Sequence, residues 1–477
     1  MTVCAGLGAS LYGIAQYFDV DPFQTPAVYH AQAGDSVIVR PPGTLGHADY
    51  FGWWLAIEFF CGIALARIDT AKMWRAAGIA CAICTAAAAL LSGTRAALLG
   101  IAIGALALAL LEPSAFRRKH LIAVTALAAA LAVFYFSPAG TRLRARTTWS
   151  GEEPAGGARP LLWRDSLRMG WAKPVFGYGP ETFQAAFGVW NSEELARLYP
   201  DFHHESPHNV ALDALTSQGI PGVLLIFAWI AVAFRAGAAG LRVKSPLAPP
   251  LAAALISSLV TAIFDAAVLA PVLLTLLILA MMTALEPAGA RRRIPLQRWV
   301  WQGTAVAIAA LIACFTAEIT TVEFMLARFQ AAPEAAKYEL VRKWRLPGAS
   351  EDIYGSRTLL NSCKETSALV KNIECWRSAE QVAAEATRTA DDPANAWYNL
   401  AFFTSIPNDT RGTSTALNRA IGAAPEWFKP HWTLAKLLAQ QGTSRDALRE
   451  AERAASLNAG HDPGVSQTLL DLRSRQR

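Results

Sequence analysis

The residues able to do chemistry are concentrated between positions 137 and 218. In order, the segment runs Arg142-Leu-Arg144-Ala-Arg146, Ala158-Arg159-Pro-Leu-Leu-Trp163-Arg164, Lys173-Pro174-Val-Phe-Gly177-Tyr178-Gly179-Pro180-Glu181-Thr-Phe183 and His203-His204-Glu205-Ser-Pro207-His208-Asn209. A guanidinium is a planar fork that meets phosphate oxygens at two points, so clustered arginines are suited to a phosphate or diphosphate. A histidine with an ordinary pKa near ~6.5 is a neutral base at pH 7 and can take a proton from a hydroxyl. His208 precedes Leu212, Leu215 and Gly219 at offsets that share one helical face, and Pro207 suits a helix start, so the spacing predicts His208 in a first turn. His203, His204 and Glu205 offer nitrogen and oxygen ligands, but without the fixed spacing of a zinc motif, and no metal is expected.

These residues must be held by membrane helices. The chain of 477 residues is 53% hydrophobic and only 17% charged, against about 25% charged in ordinary soluble proteins, and its mean hydropathy is +0.27. That composition excludes an ordinary soluble enzyme and a disordered chain. A span needs about 20 apolar residues. Blocks of that kind run over Tyr50–Ala66, Ala76–Leu91, Ala96–Leu111, His120–Phe136, Gly219–Phe234, Pro249–Phe264, Leu269–Leu285 and Trp299–Ala317. They are rich in Ala and Gly, which lets helices approach closely in lipid. Val3–Phe18 is apolar but short, has neither a positive leader nor a small-residue cleavage site, and is expected to be the outer end of a helix that begins before this sequence does. The expected fold is all-α: a membrane domain over 1–318 with a large outer loop at 137–207, then a soluble helical domain over 319–477.

The net charge of +6 is explained by topology rather than by nucleic acid. Arg67, Lys72 and Arg75, then Arg117, Arg118 and Lys119, then Arg235, Arg242 and Lys244, then Arg291, Arg292, Arg293 and Arg298 fall on alternate loops, and positive loops stay in the cytoplasm. The arginines of 137–207 break this bias. They are on the opposite side, where a phosphate-bearing lipid carrier is a suitable partner and snorkelling to ordinary headgroups is the plainer alternative.

In the tail, Tyr398-Asn-Leu400-Ala401 recurs as Trp432-Thr-Leu434-Ala435, the roughly 34-residue period of a tetratricopeptide repeat. Such repeats need neighbours to bury their faces, so helices from 331 to 390 are expected to complete the stack, and a protein partner could bind there. Of seven cysteines, Cys4, Cys61, Cys81, Cys84 and Cys314 lie in apolar blocks and read as packing, the Cys81-x-x-Cys84 spacing included. Cys363 and Cys375 lie beyond the membrane blocks and are expected to form a disulfide. Thiol labelling before and after reduction tests this.

Five stretches in this order resemble the O-antigen ligase and polymerase family of polytopic membrane glycosyltransferases. They are Gly43-Thr-Leu-Gly46-His-Ala-Asp49-Tyr50, Ser92-Gly-Thr-Arg95-Ala-Ala, Arg159-Pro-Leu-Leu-Trp163, Pro174-Val-Phe-Gly177-Tyr-Gly179-Pro-Glu-Thr-Phe183 and His208-Asn209-x-x-Leu212-x6-Gly219. The resemblance covers roughly residues 1–285. It implies a fold of the membrane glycosyltransferase C type in a bacterial inner membrane, with the C-terminal domain periplasmic. It implies inverting, metal-independent and cofactor-free transfer of a glycan from undecaprenyl diphosphate to lipid A–core, to another glycan or to protein. By position it assigns Arg95 and Arg159 to the diphosphate and His208 to the base. Arg164 and Arg142 are second choices for the diphosphate, Asn209 is expected to orient the ring or the acceptor, and Tyr178 and Glu181 to contact sugar. Two readings from other classes compete: a transporter using the ionisable residues Glu58 and Asp265, and a scaffold whose membrane part only anchors.

Overall fold

A computed structural model describes residues 1–33, 36–112, 132–152, 157–200, 203–285 and 369–475, together with position 129 and short runs and single positions between 299 and 361, among them 302–307. Among the described residues the chain is all-α apart from one hairpin of β1 (His30–Ala33) and β2 (Ser36–Val39), paired antiparallel with His30 opposite Val39. It divides into two compact units. The first comprises 1–163, 170–177 and 206–291; the second comprises 164–169, 178–205 and 292–477. This division cuts across the boundary expected near 318, because part of the expected outer loop clusters with the tail.

The first unit is a bundle of α1 (Thr2–Tyr17), α2 (Ala48–Ile68), α3 (Lys72–Leu91), α4 (Arg95–Leu111), α5 (Thr141–Glu152), the ends of α6 (Arg159–Ala172), and then α9 (Val210–Arg242), α10 (Ala248–Ala262) and α11 (Leu269–Ala284). Among the described residues α2, α3 and α9 are long and apolar enough to cross a membrane; α4, α10 and α11 are apolar but have only 17, 15 and 16 residues. The block expected at 120–136 lies largely outside the described residues, whereas the block expected at 299–317 is described in part as helix, with a short apolar helix over Gln302–Leu311.

Close approach, made possible by glycine, shapes this bundle. A Cβ on Gly62 of α2 would lie 2.7 Å from the Gly78 carbonyl of α3, and one on Gly78 would lie 2.6 Å from the Gly62 carbonyl. Gly100 and Gly104 of α4 admit Thr261 and Phe60 in the same way. With no hydrophobic drive between helices in lipid, such contact and interhelical hydrogen bonds must supply cohesion. Trp53 Nε1 donates to Ser258 Oγ at 2.9 Å, and Ser258 and Thr275 share a 2.6 Å bond, which links α2, α10 and α11.

Helix α9 begins earlier and runs further than the block expected at Gly219–Phe234. It is broken at Gly219 (φ 72, ψ −160), a conformation reserved for glycine. A Cβ there would meet the Pro174 carbonyl at 2.5 Å, and that carbonyl accepts the Ile220 N–H at 2.7 Å. Gly177 (φ 66) is equally confined, since a Cβ would lie 2.5 Å from the Ser217 carbonyl carbon. The Pro-x-x-Gly and distal Gly motifs are therefore two sides of one contact, and Pro221 restarts the helix where its missing N–H costs little.

The second unit contains α7 (Phe183–Phe187), α8 (Glu193–Leu198) and the tail helices α12 (Leu369–Thr389), α13 (Pro393–Ser405), α14 (Thr410–Ala423), α15 (Phe428–Gln440), α16 (Ser444–Asn458) and α17 (Pro463–Ser474). Successive tail helices pack on one another. Asp392-Pro393 and Asp462-Pro463 start α13 and α17 alike, each Asp accepting a backbone N–H of the first turn. The repeated Tyr398 and Trp432 reach into the next pair through Thr433 and Thr468. Cys363 and the side chain of Cys375 lie outside the described residues.

Candidate active site

The site forms at one end of the first unit, around the starts of α2, α4 and α6, the turn before α9 and the α10–α11 connection. Helix N-termini carry partial positive charge, so this end is already suited to an anion.

Asp49 is the hub. His47 is the extended N-cap of α2, and its Nδ1 accepts the Asp49 N–H at 3.2 Å. Arg40, directly after β2, donates from Nη2 to Asp49 Oδ1 at 2.5 Å, and Arg159 Nη2 lies 3.7 Å from Asp49 Oδ2. One carboxylate thus spreads two guanidinium groups, one on each oxygen. Thr94, the residue before α4, donates to the Ala48 carbonyl at 3.0 Å and fixes the start of α4, where exposed Arg95 stands, against that of α2.

Gly93 (φ 66) lies under Arg146 of α5: a Cβ there would be 2.9 Å from Arg146 Cγ and 3.0 Å from its Nε. Arg146 is only 7% exposed, and it lies in the field of Arg40, Arg95, Asp49 and Arg159. Burial, reinforced by the arginines, lowers its pKa to about 10, which leaves it charged at neutral pH. The Ser92-Gly-Thr-Arg95 stretch thus has a physical division of labour: glycine for contact, threonine for the tie between helices, arginine for the site.

His208 has a left-handed backbone (φ 48), and its N–H bonds to Ser206 Oγ at 3.2 Å. Trp163 Nε1 donates to the Pro207 carbonyl at 3.0 Å and stacks obliquely on Phe264, so the Trp163 of the Arg159 motif holds the turn that presents His208. His208 Nδ1 is buried and has no hydrogen-bond partner among the described residues. Burial first, then Arg159, lowers the His208 pKa to about 4, with Asp49 opposing. The imidazole is therefore neutral at pH 7, the state a base requires. Asp265, in the α10–α11 connection, is fully buried; its Oδ1 accepts the Ala266 N–H at 3.0 Å, and Oδ2 has no partner among the described residues. Burial, then the neighbouring Asp49, raises its pKa to about 8.

The structure thus brings His208, Arg159 and Arg95 into one cluster, and adds Arg40, His47, Asp49, Arg146 and Asp265, which were not assigned roles at this site from sequence. Their signal was present: His47 and Asp49 stand in the Gly43–Tyr50 motif, and Arg146 is one helical turn beyond Arg142. The other candidates lie elsewhere. Arg142 is engaged by the Tyr17 carbonyl and Asp19. Asn209 is the N-cap of α9, its Oδ1 accepting the Ala211 and Leu212 N–H groups at 3.0 Å, so the helix begins at Val210 and His208 precedes it rather than occupying its first turn. Arg164, Tyr178 and Glu181 belong to the second unit, where Arg164 bonds Glu194, Ser192 and Asp165. His203 pairs with Asp392 and buried His204 packs its ring on Phe187. Glu58 is fully buried in α2, its carboxylate 3.0 Å from where a Cβ on Gly6 would lie.

An apolar cavity of about 310 Å³ lies between α2, α9, α10 and α11, lined by Trp53, Val210, Trp229, Leu255 and Leu279 among others. Val210 is two residues from His208.

No curated protein matches the chain. Residues 80–227 match the family described as O-antigen ligase, a stretch that runs from α3 through the broken part of α9 and includes Arg95, Arg146, Arg159 and His208. Over residues 80–227, this helical membrane protein is similar to the O-antigen ligase family.

Proposed function

We propose that the protein transfers a glycan from undecaprenyl diphosphate to a hydroxyl acceptor, lipid A–core or a related glycan or protein hydroxyl, at the periplasmic face of a bacterial inner membrane. The observation that carries this reading is the convergence of Arg40 and Arg159 on Asp49, with Arg146 and Arg95 next to them, beside a neutral, half-buried His208. Glycosyl transfer breaks the bond between the anomeric carbon and the diphosphate, and negative charge grows on the departing oxygen. Guanidinium groups already fixed in a poorly solvated site stabilise that charge without reorganising. His208 takes the acceptor proton as the acceptor oxygen bonds to the anomeric carbon from the face opposite the leaving diphosphate, and the centre inverts. With Asp265 protonated, the site carries an excess of positive charge suited to a diphosphate. The apolar cavity beginning at Val210 suits the isoprenoid chain of the donor. The basic residues Arg67, Lys72, Arg75, Arg242 and Lys244 stand at the other end of the same helices, in keeping with a cytoplasmic end opposite the site.

Purified protein in liposomes, given an undecaprenyl-diphosphate glycan and lipid A–core, is expected to form the joined product. His208→Ala should lower the rate by about 10²-fold or more, and a chelator should leave it unchanged. Wild-type rates in His208→Ala would overturn the assignment. Offering a second glycan or a hydroxyl-bearing peptide in place of lipid A–core identifies the acceptor.

A further inference from the structure

The second unit shows what the tail helices are already holding. The segment 183–204, which connects the Pro174–Phe183 motif to His208, is packed into them by contacts of four kinds. Gly188, just after α7, approaches the end of α14 so closely that a Cβ would lie 2.4 Å from the Ala423 carbonyl oxygen. Ala196 of α8 is 3% exposed and shares an apolar cluster with Trp427, Phe428, Ala454, Leu457 and Val465. Glu193 pairs with Arg453 at 3.1 Å, and Arg197 bonds the Ser456 side chain and carbonyl at 2.5 and 2.9 Å. His203 pairs with Asp392, the cap of α13, at 3.1 Å.

The same segment is also held by α6. Asp165 is fully buried; one oxygen accepts the Ser192 N–H at 3.0 Å and the other accepts from Arg164 Nε at 3.1 Å. Arg164 also reaches Glu194 and Ser192 Oγ, each at 2.7 Å. Residues 192–194 are therefore gripped by α6 through Arg164 and Asp165, while Glu193 and Ala196 are gripped by α16 and its neighbours. Replacing Asp165 would leave the Ser192 N–H and the Arg164 guanidinium short of a partner, so this is a specified contact and not a surface ion pair.

We propose that the tail is a clamp acting within its own chain: its bound partner is segment 183–204, and through Asp165 it sets helix α6, whose first residue is Arg159. Arg164, Asp165, Glu193 and Arg453 are then positioning residues, which touch no substrate. The effect on transfer rests on the function proposed above; the clamping itself does not. A small displacement of a group that contacts the transition state lowers kcat steeply, so loosening the clamp should act on kcat.

The test uses the full chain in lipid nanodiscs, with hydrogen exchange read segment by segment and transfer kinetics measured in parallel. Gly188→Val and Ala196→Arg are expected to raise exchange in 183–198 by about tenfold or more while α13 and α15 keep their protection. Both should lower kcat by about tenfold or more, with KM for the donor nearly unchanged. Unchanged protection of 183–198 would overturn the clamp, and lost protection with wild-type kcat would overturn its link to Arg159. If either variant also unprotects α13 and α15, Glu193→Ala and Arg453→Ala decide: each alone should raise exchange in 183–198, and the double variant should raise it no further, whereas additive effects would overturn the contact. A wild-type chain that transfers no glycan sinks the proposed function, and exchange then judges the clamp alone.

Discussion

His208 and Asp265 are placed so that burial sets their protonation in opposite directions. Burial and Arg159 hold the His208 pKa at about 4, so the base is ready across the neutral range and transfer should fall only as pH drops toward that value. A kcat/KM profile, which reports the free enzyme, with its acid limb near ~6.5 would contradict this placement. Asp265 has its pKa raised to about 8 in the folded chain. Below its unfolded value near ~3.9 its contribution to stability is complete, and that contribution is lost as pH rises through about 8. Asp265→Asn should therefore flatten the pH dependence, melting closest to wild type near pH 4 and above it at pH 9 by thermal denaturation in detergent. Arg159 reaches Asp49 with one nitrogen, which leaves part of its fork for a ligand. Arg159→Lys keeps the charge and loses the fork, and should lower transfer by about tenfold with little change in melting temperature.

Among the helices, the decisive feature is the break in α9. The Pro174 carbonyl completes the hydrogen bonding at Ile220, and glycines at 177 and 219 allow the two strands of backbone to touch. The break lies one short helical stretch after His208, so it settles how the start of α9 is aimed. Gly219→Ala demands a backbone conformation that alanine rarely adopts and places a methyl against a carbonyl. It should cost on the order of 1–3 kcal/mol or more, and a fall in melting temperature, together with loss of transfer, is the measurement. Gly93→Ala likewise strains a left-handed backbone and also pushes on Arg146, and should lower both melting temperature and transfer.

For the molecule as a whole, the first unit has one end bearing the arginine and histidine cluster and another bearing Arg67, Lys72, Arg75, Arg242 and Lys244. In a variant lacking the native cysteines, a cysteine in place of Arg95 should react with an impermeant maleimide in intact spheroplasts. One in place of Lys244 should react only after permeabilisation. The reverse pattern would turn the proposed orientation over.

Sequence alone determined the class of the molecule and pointed to part of its candidate site. Long apolar blocks can be stable only in lipid, a scarcity of charge is a property of composition, and alternating basic loops are read in order along the chain, so none of these needed coordinates. Arg95, Arg159 and His208 could be singled out because each stands in a short local motif. The partners of these residues were not legible in the same way. Arg40, Asp49, Arg146 and Asp265 are brought to them from separate segments by helix packing, and an arginine run such as 142–146 does not say which member turns inward. Local spacing also favoured His208 as a helical residue, whereas Asn209 takes the cap and leaves His208 in a left-handed turn under Trp163. The fate of 178–205 was the least visible of all. Its contacts with the tail join residues far apart in the chain, 259 positions for Arg197 and Ser456 and 260 for Glu193 and Arg453, and pairing at that separation is decided by tertiary packing, for which the sequence carries no local signal.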